Sequence, residues 1–181
     1  VVYDQQRAAL DRAENALKST LAKLVEKGKI SDQDSASIFG RVGFRETIDS
    51  LSSCGLVIEA IVENLDVKKS VFQSLEKLVS SDCILATNTS SLSVERMTEG
   101  LKNPERVVGF HFFNPVAVMP LLEVARTSTT DDATTATAIA VGKELKKTMI
   151  ICKDAPGFVV NRLLTRFMGE VTDAVDEGTA P

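Results

Sequence analysis

Two hydrophobic patterns alternate along the chain. Short runs that are apolar at most positions are typical of strands buried on both faces of a sheet. These runs are "VVYD" (1–4), "GLVIEAI" (55–61), "CILATNT" (83–89), "RVVGFHFF" (106–113), "LLEVAR" (121–126) and "MIICKD" (149–154). Between them, apolar residues recur three and four positions apart in the stretches 5–27, 64–79 and 131–147, which predicts amphipathic helices. Strands that alternate with helices indicate an α/β fold with a mainly parallel sheet and helical crossovers.

The helix boundaries carry local signals. Asn64 precedes the second predicted helix and is a residue type that caps helices. The stretch 131–147 opens with two aspartates and ends in "KELKK", charges that stabilise an N-terminus and a C-terminus respectively. Pro156 and Gly157 then interrupt the chain, and 158–178 reads as one more amphipathic helix. We therefore predict a domain boundary near residue 155.

The composition narrows the function classes. Hydrophobic residues make up 44% and charged residues 25% of the 181 residues, as in a globular protein with a real core. The formal net charge of -4 argues against general binding to nucleic acid or anionic membranes. No apolar run approaches the roughly 18 residues of a membrane span. The three scattered cysteines suggest reduced thiols in the cytoplasm or an organelle matrix, and with one histidine they make no convincing metal site.

The only histidine, His111, stands inside the apolar run "VVGFHFFNPVAVMP" (107–120). A lone histidine in such a run is most often a core residue bonded to the backbone. However, Glu123 stands in the equally apolar "PLLEVA", where a carboxylate is costly unless it has a partner. On neighbouring strands the two side chains would satisfy each other, and the imidazole would become a general acid or base. From spacing alone, both interpretations stay open.

Three further sites carry polar residues at element ends. Asp4 ends the first strand, where an acidic residue either caps a helix or accepts hydrogen bonds from the ribose of a dinucleotide. In "ATNTSSLSVE" (86–95), short polar side chains follow a strand, at the sheet edge where α/β folds bind ligands. Helix capping by Ser90 or Ser91 is the alternative. Asn161 is either a satisfied core amide or a residue that reaches into a cleft.

Two motifs that would support a specific chemistry are absent from the sequence. The chain contains no G-x-G-x-x-G loop, the usual pyrophosphate site about 20 residues before an acidic residue such as Asp4. A hydrolase with Ser90, His111 and Glu123 is formally conceivable, but no G-x-S-x-G elbow presents the serine.

Four segments in order resemble the 3-hydroxyacyl-CoA dehydrogenase family, including its 3-hydroxybutyryl-CoA members. The segments are "VIEAIVENLDVKKSVF", "ILATNTSSL", "GFHFFNPVAVMPLLEV" and "KDAPGFVVNRLL". The resemblance runs through essentially the whole chain. It implies a Rossmann-like NAD-binding domain over 1–155 that lacks its first strand and glycine-rich loop. Residues 156–181 would begin an all-α C-terminal domain that binds substrate and forms a homodimer.

The resemblance also implies roles for individual residues. The function would be NAD-dependent oxidation of (S)-3-hydroxyacyl-CoA to 3-oxoacyl-CoA, or the reverse reduction, in fatty-acid β-oxidation or butanoate metabolism. The residues implied in catalysis are His111, Glu123, Ser90 and Asn161. Those implied in NAD contacts are Asp4, Glu63, Lys68, Ser90 and Asn114. Those implied in contacts with the CoA ester are Ser90, Lys27 and, where some relatives have serine, Thr20.

Departures from the family leave alternatives open. Without the glycine-rich loop and most of the helical domain, the chain is expected to be an internal piece of a dehydrogenase. A related dehydrogenase of free 3-hydroxy acids would use a catalytic lysine, which the histidine of "HFFNP" argues against. A non-catalytic fragment or crystallin-like relative, keeping the fold for binding or structure, is the third hypothesis.

Overall fold

The computed structural model describes residues 1–179. By the proximity of their Cα atoms, these residues form two compact units, Val1–Ser53 and a larger unit that begins at Cys54. The boundary predicted near residue 155, which concerns domains of the family rather than these units, stays a prediction.

The first unit is built mainly from two helices. Its elements are β1 (Val2–Tyr3), α1 (Arg7–Glu26), α2 (Asp32–Gly40), β2 (Phe44–Arg45) and a 3-10 helix (Ile48–Leu51). β1 and β2 pair in parallel, with Val2 opposite Phe44. The predicted strand at 1–4 and helix at 5–27 are present, shorter by a few residues. The sequence patterns did not predict α2 and β2.

A capping box starts the unpredicted helix α2. The Ser31 hydroxyl accepts a hydrogen bond from the Asp34 amide at 3.0 Å, and the Asp34 carboxylate accepts one from the Ser31 amide at 3.1 Å. Hydrogen bonds from the Ser31 hydroxyl and amide lower the pKa of Asp34. The Ser-x-x-Asp signal was therefore in the sequence, although α2 lacks a long apolar face.

The second unit alternates strands and helices. Its elements are β3 (Leu56–Glu59), α3 (Leu65–Leu78), β4 (Ile84–Thr87), α4 (Val94–Thr98), a 3-10 helix (Pro104–Arg106), β5 (Val107–Phe112), β6 (Leu121–Arg126), α5 (Asp132–Glu144), β7 (Thr148–Lys153) and α6 (Val160–Asp176). Each strand and helix that the sequence predicted beyond residue 54 corresponds to one of these elements.

The five strands of this unit form one sheet in the order β3-β4-β5-β6-β7. All neighbours are parallel except β5 and β6, which are antiparallel. The loop 113–120 that joins β5 to β6 contains no helix. A parallel return needs a longer crossover, so this connection permits only the antiparallel pairing. The mainly parallel α/β fold is confirmed, and the carboxyl ends of β3, β4 and β5 meet at one edge.

Both faces of the sheet are buried at its central strands β4 and β5. One face forms a core with α5, and its members are Ile84, Ala86, Val108, Phe110, Leu122, Val124 and Ala138. On the other face α4 approaches so closely that a Cβ built on Gly109 would lie 3.1 Å from Val94 Cγ2. This double burial explains why β4 and β5 are apolar at nearly every position.

Three helices of the second unit, α3, α4 and α5, begin at polar side-chain caps. Asn64 Oδ1 accepts from the Val67 amide at 3.1 Å, which confirms the predicted cap of α3. Asp131 accepts from the Thr134 amide at 2.6 Å at the start of α5. The alternative interpretation of Ser90 or Ser91 as helix caps is wrong, because Ser93 caps α4 by accepting from the Arg96 amide at 3.2 Å. Ser90 and Ser91 precede that helix.

The last helix, α6, exposes an apolar stripe. The large apolar side chains of α6 that are at least 40% exposed are Leu163, Leu164, Phe167, Met168, Val171 and Val175. The predicted helix over 158–178 is thus present within the second unit. Among residues 1–179, no helix combines the length and apolar character needed to cross a membrane.

Gly109 provides a test of the packing between β5 and its surroundings. A Cβ at this position would lie 2.8 Å from Ala125 Cβ on β6, so Gly109→Ala should lower the free energy of unfolding by about 1–3 kcal/mol. The matched control is Gly169→Ala on α6, where a Cβ meets no atom within 4 Å and where alanine should stabilise the helix by about 0.5–1 kcal/mol. Urea unfolding measures both. Equal stability of the two variants would contradict this description of the sheet.

Candidate active site

The antiparallel pairing of β5 and β6 places His111 opposite Glu123. His111 Nδ1 lies 2.8 Å from Glu123 Oε2, and the two side chains are 7% and 0% exposed. Both face away from the core cluster, since Phe110, Phe112, Leu122 and Val124 occupy the alternate positions of the two strands. The predicted proximity of the histidine and the carboxylate is therefore confirmed.

Glu123 also holds the start of α6. Its second oxygen, Oε1, accepts hydrogen bonds from the amides of Val159 at 2.9 Å and Val160 at 2.8 Å. The helix has no side-chain cap of its own at Val159. The carboxylate thus satisfies two amides of the N-terminal turn, whose dipole in turn stabilises the negative charge.

The turn at Gly157 and Phe158 places these amides within hydrogen-bond distance of Glu123. Gly157 and Phe158 both adopt left-handed backbone conformations, with φ of 73° and 46°. A Cβ at Gly157 would lie 3.0 Å from the Arg162 amide nitrogen, so only glycine fits there without a shift. Phe158 is 4% exposed, and its ring centroid lies 5.8 Å from the imidazole. The turn therefore also packs an aromatic wall against His111.

The bond to Glu123 determines which imidazole nitrogen can react. A carboxylate accepts a hydrogen bond from the Nδ1–H group, so the neutral ring carries its lone pair on Nε2. Within residues 1–179, Nε2 of His111 makes no hydrogen bond to the protein. Phe113 lies on another side, with ring centroids 4.5 Å apart. His111 is consequently fixed in orientation, with one nitrogen free to exchange a proton with a ligand.

Ser90 and Asn161 come together although they are far apart in the sequence. Asn161 Nδ2 donates to the Ser90 carbonyl oxygen at 3.2 Å. Ser90 lies in the loop after β4, and Asn161 lies on the first turn of α6. No hydrogen bond within residues 1–179 uses the Ser90 hydroxyl or the Asn161 amide oxygen. Both polar atoms are therefore free for a ligand.

Glu63 organises the loop that carries Ser90. Its Oε1 accepts from the Thr89 hydroxyl at 2.5 Å, the Ser90 amide at 3.1 Å and the Ser91 hydroxyl at 3.4 Å. Lys68 Nζ lies 3.3 Å from its other oxygen. Burial raises the pKa of Glu63, but the bonds from Thr89 and Ser90 and the Lys68 charge outweigh this effect and lower it. Glu63 is thus held as a carboxylate.

The structure adds Glu59, which the sequence reasoning missed. Glu59 is the last residue of β3, is 4% exposed, and lies 2.7 Å from Lys68 Nζ. Lys68, implied as an NAD contact, is 1% exposed and is engaged by both Glu59 and Glu63. The signal for Glu59 was available, because "LVIEA" places a carboxylate in an apolar run just as "PLLEVA" does.

Two asparagines mark the end of β5. Asn114, implied as an NAD contact, is exposed in the loop that follows the strand. Asn88, which sequence reasoning did not single out, accepts a hydrogen bond from the Phe112 amide at 2.8 Å through its side-chain oxygen. Asn88 therefore ties the loop after β4 to the end of β5, next to His111.

The remaining predicted contacts lie in the first unit. Asp4 follows β1, and its Oδ1 accepts from the Gln6 amide at 2.8 Å, which leaves Oδ2 available. Thr20 and Lys27 are exposed on α1, about two helical turns apart and so on one face. The Thr20 hydroxyl donates to the Ala16 carbonyl at 2.8 Å. Lys27 is the C-cap residue of α1.

Two of the three cysteines have thiols whose pKa is raised by burial. All three are free thiols. Burial, followed by the charges of Glu123 and Asp154, raises the pKa of Cys152 to about 11, and burial raises that of Cys83. Both thiols therefore stay protonated at neutral pH.

These groups suit a dinucleotide at the carboxyl edge of the sheet. In the second unit, carboxylate, hydroxyl and amide groups from Glu63, Ser90 and Asn114 match the hydroxyls of ribose and the carboxamide of nicotinamide. A glycine-rich loop for the pyrophosphate does not occur in the sequence. The residues present therefore fit the ribose and nicotinamide parts of NAD.

Comparison with known proteins shows the family to which the chain belongs. Residues 1–155 match the family model "3-hydroxyacyl-CoA dehydrogenase, NAD binding domain". The probable 3-hydroxybutyryl-CoA dehydrogenase of Deinococcus radiodurans is 39% identical over 180 residues, which cover 99% of this chain and 64% of that protein. The 3-hydroxybutyryl-CoA dehydrogenase of Clostridioides difficile is 38% identical over 174 residues, with coverages of 96% and 62%.

Solved structures agree as well. The (S)-3-hydroxybutyryl-CoA dehydrogenase of Ralstonia eutropha superposes with a TM-score of 0.94 at 36% identity, covering 98% of this chain and 63% of that one. The chain thus spans less than two thirds of the length of each of these three proteins. From the family match and from relatives at this identity, we conclude that the chain belongs to the 3-hydroxyacyl-CoA dehydrogenase family, with residues 1–155 matching its NAD-binding domain.

Proposed function

We propose that the whole protein catalyses the NAD-dependent oxidation of (S)-3-hydroxyacyl-CoA to 3-oxoacyl-CoA, or the reverse reduction. The observation that carries this proposal is the buried pair of His111 and Glu123, whose Nδ1–Oε2 distance is 2.8 Å. The pair leaves Nε2 free beside a loop and a helix turn with unbonded polar atoms. Oxidising a secondary alcohol requires a base, and the free Nε2 atom of His111 can act as one.

His111 transfers the proton. In the oxidative direction Nε2 takes the proton of the 3-hydroxyl group, and the Glu123 carboxylate stabilises the imidazolium that forms. In the reductive direction the imidazolium polarises the 3-oxo group and returns the proton. The low exposure of both side chains strengthens their mutual attraction, because little water screens it.

Ser90 and Asn161 orient the substrate. The Ser90 hydroxyl and the Asn161 side-chain oxygen have no partner within the described residues, and the 3.2 Å bond between these two residues fixes their spacing. A substrate oxygen held by them would stay within reach of His111 Nε2. Their contribution is positioning, which turns the proton transfer into an effectively intramolecular step.

NAD would be held by Asp4, Glu63, Ser90 and Asn114, and the CoA ester by Ser90, Lys27 and Thr20. Lys68, whose side chain is 1% exposed and paired with Glu59 and Glu63, would act on the cofactor only through Glu63. When bound, NAD supplies the acceptor or donor of the hydride. The Asp4 carboxylate would accept hydrogen bonds from the adenosine ribose through its available oxygen. Glu63 would position the loop after β4 through its bonds to Thr89 and Ser90, and this loop would face the nicotinamide half of NAD.

The cellular setting follows from the proposed reaction. A reversible oxidation of 3-hydroxyacyl-CoA serves fatty-acid β-oxidation or butanoate metabolism, in the cytoplasm or an organelle matrix. The helical domain that would begin at residue 156 is proposed to close over the substrate and to form a homodimer. The exposed apolar stripe of α6 supports this proposal, because such a stripe needs a covering partner.

Removing the imidazole tests the proposed chemistry. In the whole protein, His111→Gln should lower kcat for NADH oxidation with acetoacetyl-CoA by about 10²–10⁴-fold, because the proton donor is lost. NADH binding, followed by fluorescence, serves as the control and should change little. Unchanged turnover would reject the role of His111. No turnover by the unsubstituted, folded and NADH-binding protein would leave the binding or structural alternative.

The charge of Glu123 gives a second test. Glu123→Gln should lower kcat about 10- to 100-fold and the free energy of unfolding by about 1–3 kcal/mol, because an amide cannot serve both His111 and the α6 amides. Combined with His111→Gln, the kcat losses should not add, since both residues act in one unit. Glu144→Gln, at the exposed end of α5, is the control and should leave both quantities unchanged. Additive losses of kcat would show that Glu123 does not act together with His111 in the proton transfer.

Lys27 allows a test of the CoA contact. If its ammonium binds a phosphate of CoA, Lys27→Gln should raise KM for acetoacetyl-CoA about 10-fold or more. KM for acetoacetyl-pantetheine, which lacks the nucleotide, should stay unchanged. Lys18→Gln, on the opposite face of α1, is the matched control. An equal rise in KM for both thioesters would place the CoA nucleotide elsewhere.

A further inference from the structure

Glu59 is a buried carboxylate that the proposed proton transfer does not use. It ends β3 with 4% of its surface exposed, and no hydrogen bond within residues 1–179 joins it to His111, Ser90 or Asn161. Burying an ionised carboxylate is costly, and the fold offsets that cost with several donors. The nature of those donors indicates what Glu59 does.

The donors to Glu59 come from three different segments. Its Oε1 accepts from the Ile61 amide at 2.6 Å and from Lys68 Nζ at 2.7 Å, and its Oε2 accepts from the Thr87 hydroxyl at 2.7 Å. Ile61 begins the loop after β3, Lys68 lies on α3 and Thr87 ends β4. Glu59 therefore clamps the point where these three segments meet.

Lys68 connects Glu59 to a second carboxylate. Its ammonium lies 2.7 Å from Glu59 and 3.3 Å from Glu63, and the side chains of Lys68 and Glu59 are each 1% exposed. A buried ammonium between two carboxylates is held in position by both. Loss of either carboxylate would let the lysine move toward the other one or toward water.

Glu63 passes this constraint to the loop after β4. It accepts hydrogen bonds from Thr89, Ser90 and Ser91, at 2.5, 3.1 and 3.4 Å. The Ser90 carbonyl in turn accepts from Asn161 at 3.2 Å. A continuous series of contacts thus leads from Glu59 through Lys68 and Glu63 to the two residues proposed to hold the substrate oxygen.

We propose that Glu59 is a positioning residue that holds Lys68, and through Lys68 and Glu63 fixes the loop that carries Ser90. Its effect on turnover rests on the proposed function, whereas its effect on the loop does not. Glu59 itself touches neither substrate nor cofactor. The buried cluster supports the site from β3, whereas Glu123 lies on β6, three strands away in the sheet order. The carboxylates of Glu59 and Glu63 are both paired with the Lys68 ammonium.

The kinetic test measures coupling between Glu59 and Ser90. In the whole protein, Glu59→Gln should lower kcat with acetoacetyl-CoA at least about 10-fold per NADH-binding site, because displaced positioning groups lose alignment. In a Ser90→Ala background the same change should cost no more than about 2-fold, since the group it positions is gone. A merely structural role would give equal losses in both backgrounds.

The matched control is Glu76→Gln. Glu76 is a partly buried carboxylate on α3, and its Oε1 atom lies 3.9 Å from Arg106 Nη2. It accepts hydrogen bonds from the amides of Lys102 and Asn103. No hydrogen bond connects it to the Ser90 loop within the described residues. Its loss should lower the melting temperature as Glu59→Gln does, but kcat per NADH-binding site should stay unchanged. Equal losses of kcat in both variants would overturn the proposal.

A second measurement is independent of turnover. Amide hydrogen exchange at Ser90, whose N–H donates to Glu63, should become at least about 10-fold faster in Glu59→Gln and unchanged in Glu76→Gln. Glu59→Asp keeps the charge but is one methylene shorter, so it should show an intermediate effect, and it decides the test if Glu59→Gln does not fold. Unchanged exchange at Ser90 overturns the proposal even in an active enzyme. Faster exchange in a protein without dehydrogenase activity supports the positioning of the loop while rejecting the proposed function.

Discussion

The site depends on the need to satisfy one buried carboxylate. Glu123 is fully buried and has one oxygen on His111 and the other on the amides of Val159 and Val160. An uncompensated charge at this position would cost several kcal/mol, so strand β5, strand β6 and the start of α6 must all be correctly placed. The same contacts orient the imidazole and bring Asn161 toward Ser90. Stability and chemistry therefore share one set of hydrogen bonds.

A second buried carboxylate organises the other side of the site. Glu59 on β3 and Glu123 on β6 both lie in apolar strands, and both are satisfied by donors from separate elements. Glu123 is paired with the imidazole of His111, which keeps its Nε2 atom free of hydrogen bonds within the described residues. Glu59 is paired with Lys68, whose side chain is 1% exposed and also lies against Glu63, so this pair holds structure. The choice of partner separates a chemical role from a supporting one.

Sequence reasoning reached those features that depend on local pattern. Apolar runs located the strands, and the carboxylate in "PLLEVA" led to the pairing of Glu123 with His111. It did not find Glu59, although the same argument applied, because its partner Lys68 stands in a helix where a lysine is unremarkable. It could not find the amides that bind Glu123, since backbone donors leave no mark in a sequence and the placement of α6 is set by tertiary packing. α2 was missed because its capping box precedes only a short apolar pattern.

The antiparallel hairpin of β5 and β6 has a consequence for how the family can diverge. Side chains alternate between the two faces, so inserting one residue in either strand would turn His111 or Glu123 into the core face and replace it with an aliphatic neighbour. Insertions in the loop 113–120 leave that register intact. The loop can therefore change in length and sequence, and so contact different ligands, without separating His111 from Glu123.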